Sequence, residues 1–157
     1  MAAKTVALDK PVPAFSLPAT GPGPWALKDA AGSKVVLYFY PRDNTPGCTL
    51  EGKDFAAAAA AFRKAGAVIL GISGDSLESH DKFKAKMQFP FELLADTEQK
   101  ACKLFDVIKE KSLYGRRFMG IERSTFLIDG NGVLRREWRK VKVPGHVAEV
   151  LAAVHAL

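Results

Sequence analysis

Cysteine is scarce in this sequence: 157 residues contain two, Cys48 and Cys102. Two thiols cannot build a secreted disulfide scaffold or a four-cysteine zinc site, which leaves a catalytic thiol, a redox pair or buried packing residues in a reducing compartment. They do not form C-x-x-C, and His80, His146 and His155 form no H-x-x-x-H pair. No metal site is therefore expected, and the histidines read as surface or capping residues. No stretch approaches the roughly 18 apolar residues of a membrane span, and Met1 to Lys10 has no apolar core of signal-peptide length, so a cytoplasmic protein is expected. There is no Walker A loop and no G-x-G-x-x-G, and Gly71-Ile72-Ser73-Gly74 is not G-x-S-x-G because Asp75 follows. Hydrolase and nucleotide-binding readings drop out, and no cofactor is expected.

What is present suits one soluble domain over residues 1–157. The chain is 48% hydrophobic and 25% charged, and at this length folding buries roughly 68 to 70% of the unfolded surface without help from disulfides or metal. Lys and Arg number 23 against 17 Asp and Glu, a net +6 that favours anionic partners without selecting one. The densest basic stretch, Arg135 to Lys142 with Trp138 inside it, has the charge and ring of a nucleic-acid surface. Acidic residues spread elsewhere and the lack of a binding motif favour a solvated strand instead. Leu17-Pro18-Ala19-Thr20-Gly21 spells a cell-wall sorting signal far from any C-terminal apolar tail, and reads as a turn.

Five prolines within the first 24 residues make that segment an extended, turn-rich arm with short edge strands. Val35 to Tyr40 is an unbroken β-branched and aromatic run, the pattern of a central strand covered on both faces. Pro41 ends it. Thr49 to Ala65 reads as a helix with Phe55 and Phe62 on one face, stopped by Gly66, and Ala67 to Ser73 as a second buried strand. That crossover is β-α-β, parallel and right-handed. Helices are expected over Leu77–Met87 and Thr97–Phe105, the latter opened by an Asp96/Thr97 cap, with a short apolar segment Phe89–Leu94 between them. Thr125–Asp129 and Val133–Val141 flank Gly130-Asn131-Gly132 as a hairpin, and Val147–Leu157 is an amphipathic helix. This order predicts an α/β, thioredoxin-like fold with a central mixed sheet flanked by helices and an N-terminal extension.

The chemistry belongs where the first strand meets the first helix. Cys48 sits at the first turn of that helix, where free backbone N–H groups and the positive end of the helix dipole favour the thiolate over the thiol. A buried, inert cysteine is the commoner state of a free thiol, but proline, glycine and a helix start around Cys48 argue against it.

Those residues, Pro41-x-x-x-Thr45-x-x-Cys48, resemble the peroxidatic loop of the peroxiredoxins. With Pro46-Gly47-Cys48-Thr49-x-Glu51 and Gly120-Ile121-x-Arg123-x-Thr125-Phe126-Leu127-Ile128-Asp129, the chain is similar to the bacterioferritin comigratory protein branch, or peroxiredoxin Q, from Pro13 to His146. The resemblance implies a thiol-dependent peroxidase that reduces hydrogen peroxide and organic hydroperoxides through a Cys48 sulfenic acid. It further implies that Thr45 presents its hydroxyl to peroxide and thiolate, that the Cys48 backbone N–H and the Arg123 fork face the same atoms, and that Pro41 shields the sulfur. Glu51 would orient an arginine. Taken alone, Thr45 would be a turn cap, Arg123 a surface residue opening a strand, and Glu51 an acid favoured by the dipole.

The family's usual resolving cysteine lies five residues after the first or on the following helix. Here those places hold Lys53 and the cysteine-free segment Leu77–Met87. Cys102 shares a helical face with Phe105, so packing is favoured over resolution. A one-cysteine cycle is expected, with an external thiol reductant such as thioredoxin or glutathione with glutaredoxin, in a monomer or weak dimer. The competing functions are a non-enzymatic redox sensor or holdase using Cys48, and a thiol-disulfide oxidoreductase, which lacks its C-x-x-C.

Overall fold

The computed structural model describes residues 5–157; the first four residues of the Met1–Lys10 stretch, which has no leader-like apolar core, lie outside the described residues. The arm contributes strands β1 (Ser16–Leu17) and β2 (Trp25–Ala26), paired antiparallel, followed by a 3-10 turn at Leu27–Ala30. β3 (Lys34–Phe39), helix α1 (Pro46–Lys64) and β4 (Ala67–Ser73) form the expected parallel crossover. α2 (Leu77–Met87), β5 (Glu92–Ala95) and α3 (Lys100–Leu104) follow. The antiparallel hairpin β6 (Ile108–Leu113) and β7 (Arg116–Ile121) stands apart from the main sheet. β8 (Ser124–Ile128), β9 (Leu134–Trp138) and α4 (His146–His155) complete the chain.

The main sheet runs β5-β4-β3-β8-β9, with β3, β4 and β5 parallel and β8 and β9 antiparallel, so this is a thioredoxin-like α/β fold with a mixed sheet. Alternate side chains of a strand face opposite ways, and β3 divides the core accordingly. Val36, Tyr38 and Tyr40 join α1, α4 and Phe83 of α2 on one side. Val35, Leu37 and Phe39 join the arm and α3 on the other. No helix among the described residues is long and apolar enough to cross a membrane.

Several boundaries differ from those expected. α1 starts at Pro46 rather than Thr49, because proline is preorganised for a first helical position, where its missing N–H leaves nothing unpaired. α3 is shorter than Thr97–Phe105: Gln99 is left-handed (φ 58), which blocks an earlier start, and the Asp96 carboxylate instead accepts the Cys102 N–H at 2.7 Å. The Leu17–Gly21 segment is largely not a turn. Thr20 N–H donates to the Leu93 carbonyl and Ala95 N–H to that of Pro18, so the segment lies along the edge of β5 and turns only at Gly21 (φ 93).

The three arginines of the basic stretch are engaged within the fold. Arg135 meets Asp9 and Asp129, Arg136 lies over the Trp138 ring, and Arg139 donates to the Phe105 and Asp106 carbonyls.

Candidate functional site

Cys48 is the third residue of α1, at the end of the loop that leaves the C-terminal edge of β3, and its side chain is buried at 2% exposure. Because α1 begins at Pro46, the Gly47 and Cys48 N–H groups fall in the first turn, which has no preceding carbonyls to bond, whereas Thr49 N–H already donates to Thr45. The sulfur thus lies beside unspent donors.

Arg123 sits in the short link between β7 and β8, with its carbonyl accepting from Val141 N–H. Its fork is divided: Nη2 donates to Cys48 Sγ at 3.4 Å and Nη1 to Glu51 Oε1 at 2.7 Å. The absence of a side chain at Gly47 makes room for this, since a Cβ there would lie 3.1 Å from Nη2. Burial alone would weaken Arg123's hold on its proton, but Glu51 and Cys48 outweigh it and strengthen that hold. Glu51 is completely buried, its second oxygen has no hydrogen-bond partner among the described residues, and burial pushes its pKa up to about 7 despite the attraction of Arg123.

The remaining expected residues are placed less directly. The Thr45 hydroxyl donates to the Arg42 carbonyl at 3.0 Å, and although Thr45 is the N-cap residue its side chain makes no capping bond. Pro41 is exposed at the start of the loop. Cys102 is fully buried among the side chains on the opposite face of the sheet, where burial and Asp96 push its thiol far above the usual range.

Two of the histidines read as surface or capping residues, His80 and His146, are buried. His80 is fully enclosed, with Nδ1 2.7 Å from Asp43 Oδ2 and Nε2 2.9 Å from the Leu94 carbonyl. His146 bonds Thr125 through Nε2 at 2.8 Å, and burial pushes its pKa down to about 4, with Glu149 opposing and Arg123 assisting. His155 is exposed, as expected. Both buried rings sit at or near an element start and find partners from distant segments, which no local pattern reveals. Asp43, Asp75 and His80 each bring a potential ligand atom within 4.8 Å of the others, but the His80 nitrogens and both Asp43 oxygens are already engaged in hydrogen bonds.

Sequence reasoning also passed over two groups around Cys48. Tyr38 stacks on Phe55 beneath the site, and burial, then Glu51 and Cys48, hold its hydroxyl in the protonated form. Lys111 of β6 lays its stem where a side chain on Gly120 would go. Burial and Arg123 push its ammonium below the ordinary lysine range, with Cys48 and Glu122 acting in opposition.

Residues 8–137 match the sequence profile of the AhpC/TSA family. Peroxiredoxin Bcp of Xanthomonas campestris is 52% identical over 151 residues, 95% of this chain and 94% of the relative. Peroxiredoxin Bcp of Bacillus subtilis is 56% identical over 125 residues, 80% of each chain. Among solved structures, Xanthomonas campestris Peroxiredoxin Q has a TM-score of 0.86 at 52% identity over 90% of both chains. PrxQ of Xylella fastidiosa reaches 0.91 at 42% identity over 98% of both.

Proposed function

Because the chain belongs to the AhpC/TSA family, in its peroxiredoxin Q branch, and is a thiol-dependent peroxidase with a catalytic cysteine, we propose that Cys48 is that cysteine, working in a one-cysteine cycle within a single domain. The observation that carries this is the divided fork of Arg123, 3.4 Å from the Cys48 sulfur on one arm and 2.7 Å from buried Glu51 on the other. A guanidinium stays protonated and presents donors in a fixed plane, so it stabilises both the thiolate and the negative charge that develops on peroxide oxygen.

In the first half-reaction the Cys48 thiolate attacks the hydroxyl oxygen of a hydroperoxide. An S–O bond forms as the O–O bond breaks, sulfur is oxidised to sulfenic acid, and the departing oxygen takes a proton from solvent and leaves as alcohol or water. The Thr45 hydroxyl, already donating to Arg42, has lone pairs left to accept the peroxide O–H. The Gly47 and Cys48 N–H groups face the same oxygens, Pro41 shields the sulfur, and Glu51 positions Arg123.

In the second half-reaction an external thiol attacks the sulfenic sulfur and releases water, and a second thiol reduces the mixed disulfide. Peroxide and thiol reductant follow from family membership. Thioredoxin, or glutathione with glutaredoxin, is the reductant proposed for this chain, acting on a monomer or weak dimer. Hydrogen peroxide and organic hydroperoxides are the proposed substrates; alkyl peroxide reduction is described for the Xanthomonas campestris bacterioferritin comigratory protein. The test follows peroxide loss and Cys48 oxidation together after mixing reduced protein with hydrogen peroxide or an organic hydroperoxide. Rapid stoichiometric oxidation that Cys48→Ser abolishes is expected, and peroxide loss that survives this substitution overturns the assignment.

A further inference from the structure

Large apolar side chains exposed singly are ordinary on a soluble protein, whereas a contiguous exposed group marks a contact surface. Among the described residues nine large apolar side chains are exposed, and four of them cluster at the end of the β6–β7 hairpin: Leu113 at 57%, Tyr114 at 95%, Phe118 at 45% and Met119 at 61%. We propose that the tip of this hairpin is a docking wedge for an anionic lipid bilayer, its apolar side chains entering the interface and its basic residues meeting the headgroups. The peroxide chemistry above makes no use of this tip, and the docking does not rest on that chemistry.

Strand alternation sorts the hairpin's side chains between its two faces. Lys111 pairs with Phe118 and Leu113 with Arg116, so these four share one face with Lys109, while Glu110 pairs with Met119 and Ser112 with Arg117 on the other. Apolar side chains therefore stand on both faces and at the turn itself, where Tyr114 and Gly115 both have positive φ. A folded protein partner covers one face of a ribbon and leaves the other in water, whereas a bilayer interface surrounds a convex tip from all sides. Phe118 lies three residues beyond Gly115, roughly 10 Å at about 3.4 Å per residue, and interfacial elements bury their apolar side chains to a depth of roughly 5–10 Å.

The charge fits the same occupant. Residues 108–121 carry Lys109, Lys111, Arg116 and Arg117 against the single acid Glu110. Lys111 and Arg116 have no ion-pair partner among the described residues, while Arg117 faces Glu110 at 3.5 Å and Lys109 faces Asp106 at 3.1 Å, both at exposed positions where such pairs are weak. The other basic stretch, by contrast, spends Arg135 and Arg139 on partners within the fold. Lys111, whose ammonium feels both Arg123 and Cys48, belongs to the face that carries Leu113 and Phe118. Docking therefore turns the Cys48 side of the molecule toward the bilayer.

The experiment floats the full chain with vesicles of phosphatidylcholine alone, or of equal parts phosphatidylcholine and phosphatidylglycerol. Binding to the anionic vesicles only is expected, falling as salt is raised. Arg116→Gln should weaken it about fivefold. Tyr114→Ser combined with Phe118→Ser, which leaves the charge untouched, should weaken it about tenfold or more. Arg135→Gln, at an exposed position outside the hairpin, should bind as wild type does, which separates the wedge from net charge. All of these positions are exposed, so thermal midpoints are expected to match wild type and lost binding is not lost fold. No flotation with anionic vesicles, or flotation that the hairpin variants leave unchanged, overturns the wedge. A wild-type dimer that Tyr114→Ser splits, or thioredoxin binding that the tip variants abolish, assigns the tip to another protein and overturns it as well. Cys48→Ser is expected to float as wild type does, so failure of the peroxidase assignment and failure of the wedge are read separately.

Discussion

Cys48 and Cys102 lie on opposite faces of the central sheet. Cys48 belongs to the buried cluster with Val36 and Tyr38 of β3 and the following Tyr40, and Cys102 to that with Val35, Leu37 and Phe39 of the same strand. A bond between them would require a segment to pass around or through a fully bonded sheet. Oxidation of wild-type protein with one equivalent of peroxide is therefore expected to add an oxygen at Cys48 and form no internal disulfide, as read by intact-mass spectrometry. Cys102→Ala should retain turnover with small thiols while losing roughly 1–2 kcal/mol of stability to a small cavity. Loss of two hydrogens from the reduced mass would contradict this.

Arg123 serves sulfur and carboxylate with different arms, and its removal is expected to act on both. Arg123→Ala should slow Cys48 oxidation about a hundredfold or more, the scale of losing a preorganised donor to a developing oxyanion. Arg123→Lys, which keeps the charge but not the fork, should fall between. Because Glu51 is left buried without its partner, the Ala variant should lose more stability above neutral pH than below it. Rapid-mixing kinetics and urea unfolding at two pH values test these expectations.

Glu51 has its folded pKa raised from 4.5 to about 7. The native state therefore binds more protons than the unfolded chain between those values, and this group's contribution to stability declines as pH rises through that window. Glu51→Gln is expected to flatten this decline in denaturant titrations across the interval. A wild-type profile that rises more steeply there than the variant's would reverse the assignment.

His146 works in the opposite sense. Burial lowers its pKa from 6.5 to about 4, so the unfolded chain takes up the proton first and stability is lost as pH falls from the upper value through the lower. His146→Gln should remove that part of the acid sensitivity, measured by thermal unfolding over the same range.

Gly47 permits the close approach of Arg123 to the helix start. Gly47→Ala is expected to displace the guanidinium and slow peroxide oxidation about tenfold, yet leave stability unchanged or raised by up to about 1 kcal/mol, because alanine favours the helix. Activity and thermal midpoint moving down together would indicate a different cause.

Much of this architecture is legible locally. The run Val35–Tyr40 marks the central strand because burial on both faces selects the same residue types throughout, and Gly130-Asn131-Gly132 marks the β8–β9 connection. Cys48, Thr45 and Arg123 are legible as candidates from short motifs. Less visible is what depends on distant contacts. The β6–β7 hairpin turns at Tyr114-Gly115, both with positive φ, and tyrosine is a weak signal for such a turn. Asp43 and His80 are 37 residues apart, and neither has a neighbour in sequence that announces the other. The start of α1 is misplaced because proline commonly ends a pattern, whereas here it opens one.

Strand order reverses at β3: the chain moves outward through β4 and β5, then returns to place β8 on the other side. The loop that carries Cys48, from Pro41 onward, leaves the carboxyl end of β3 at that reversal, with a packed cluster of buried side chains on each face of the strand behind it. Variation in reactivity can therefore accumulate in eight residues while the scaffold beneath them stays intact.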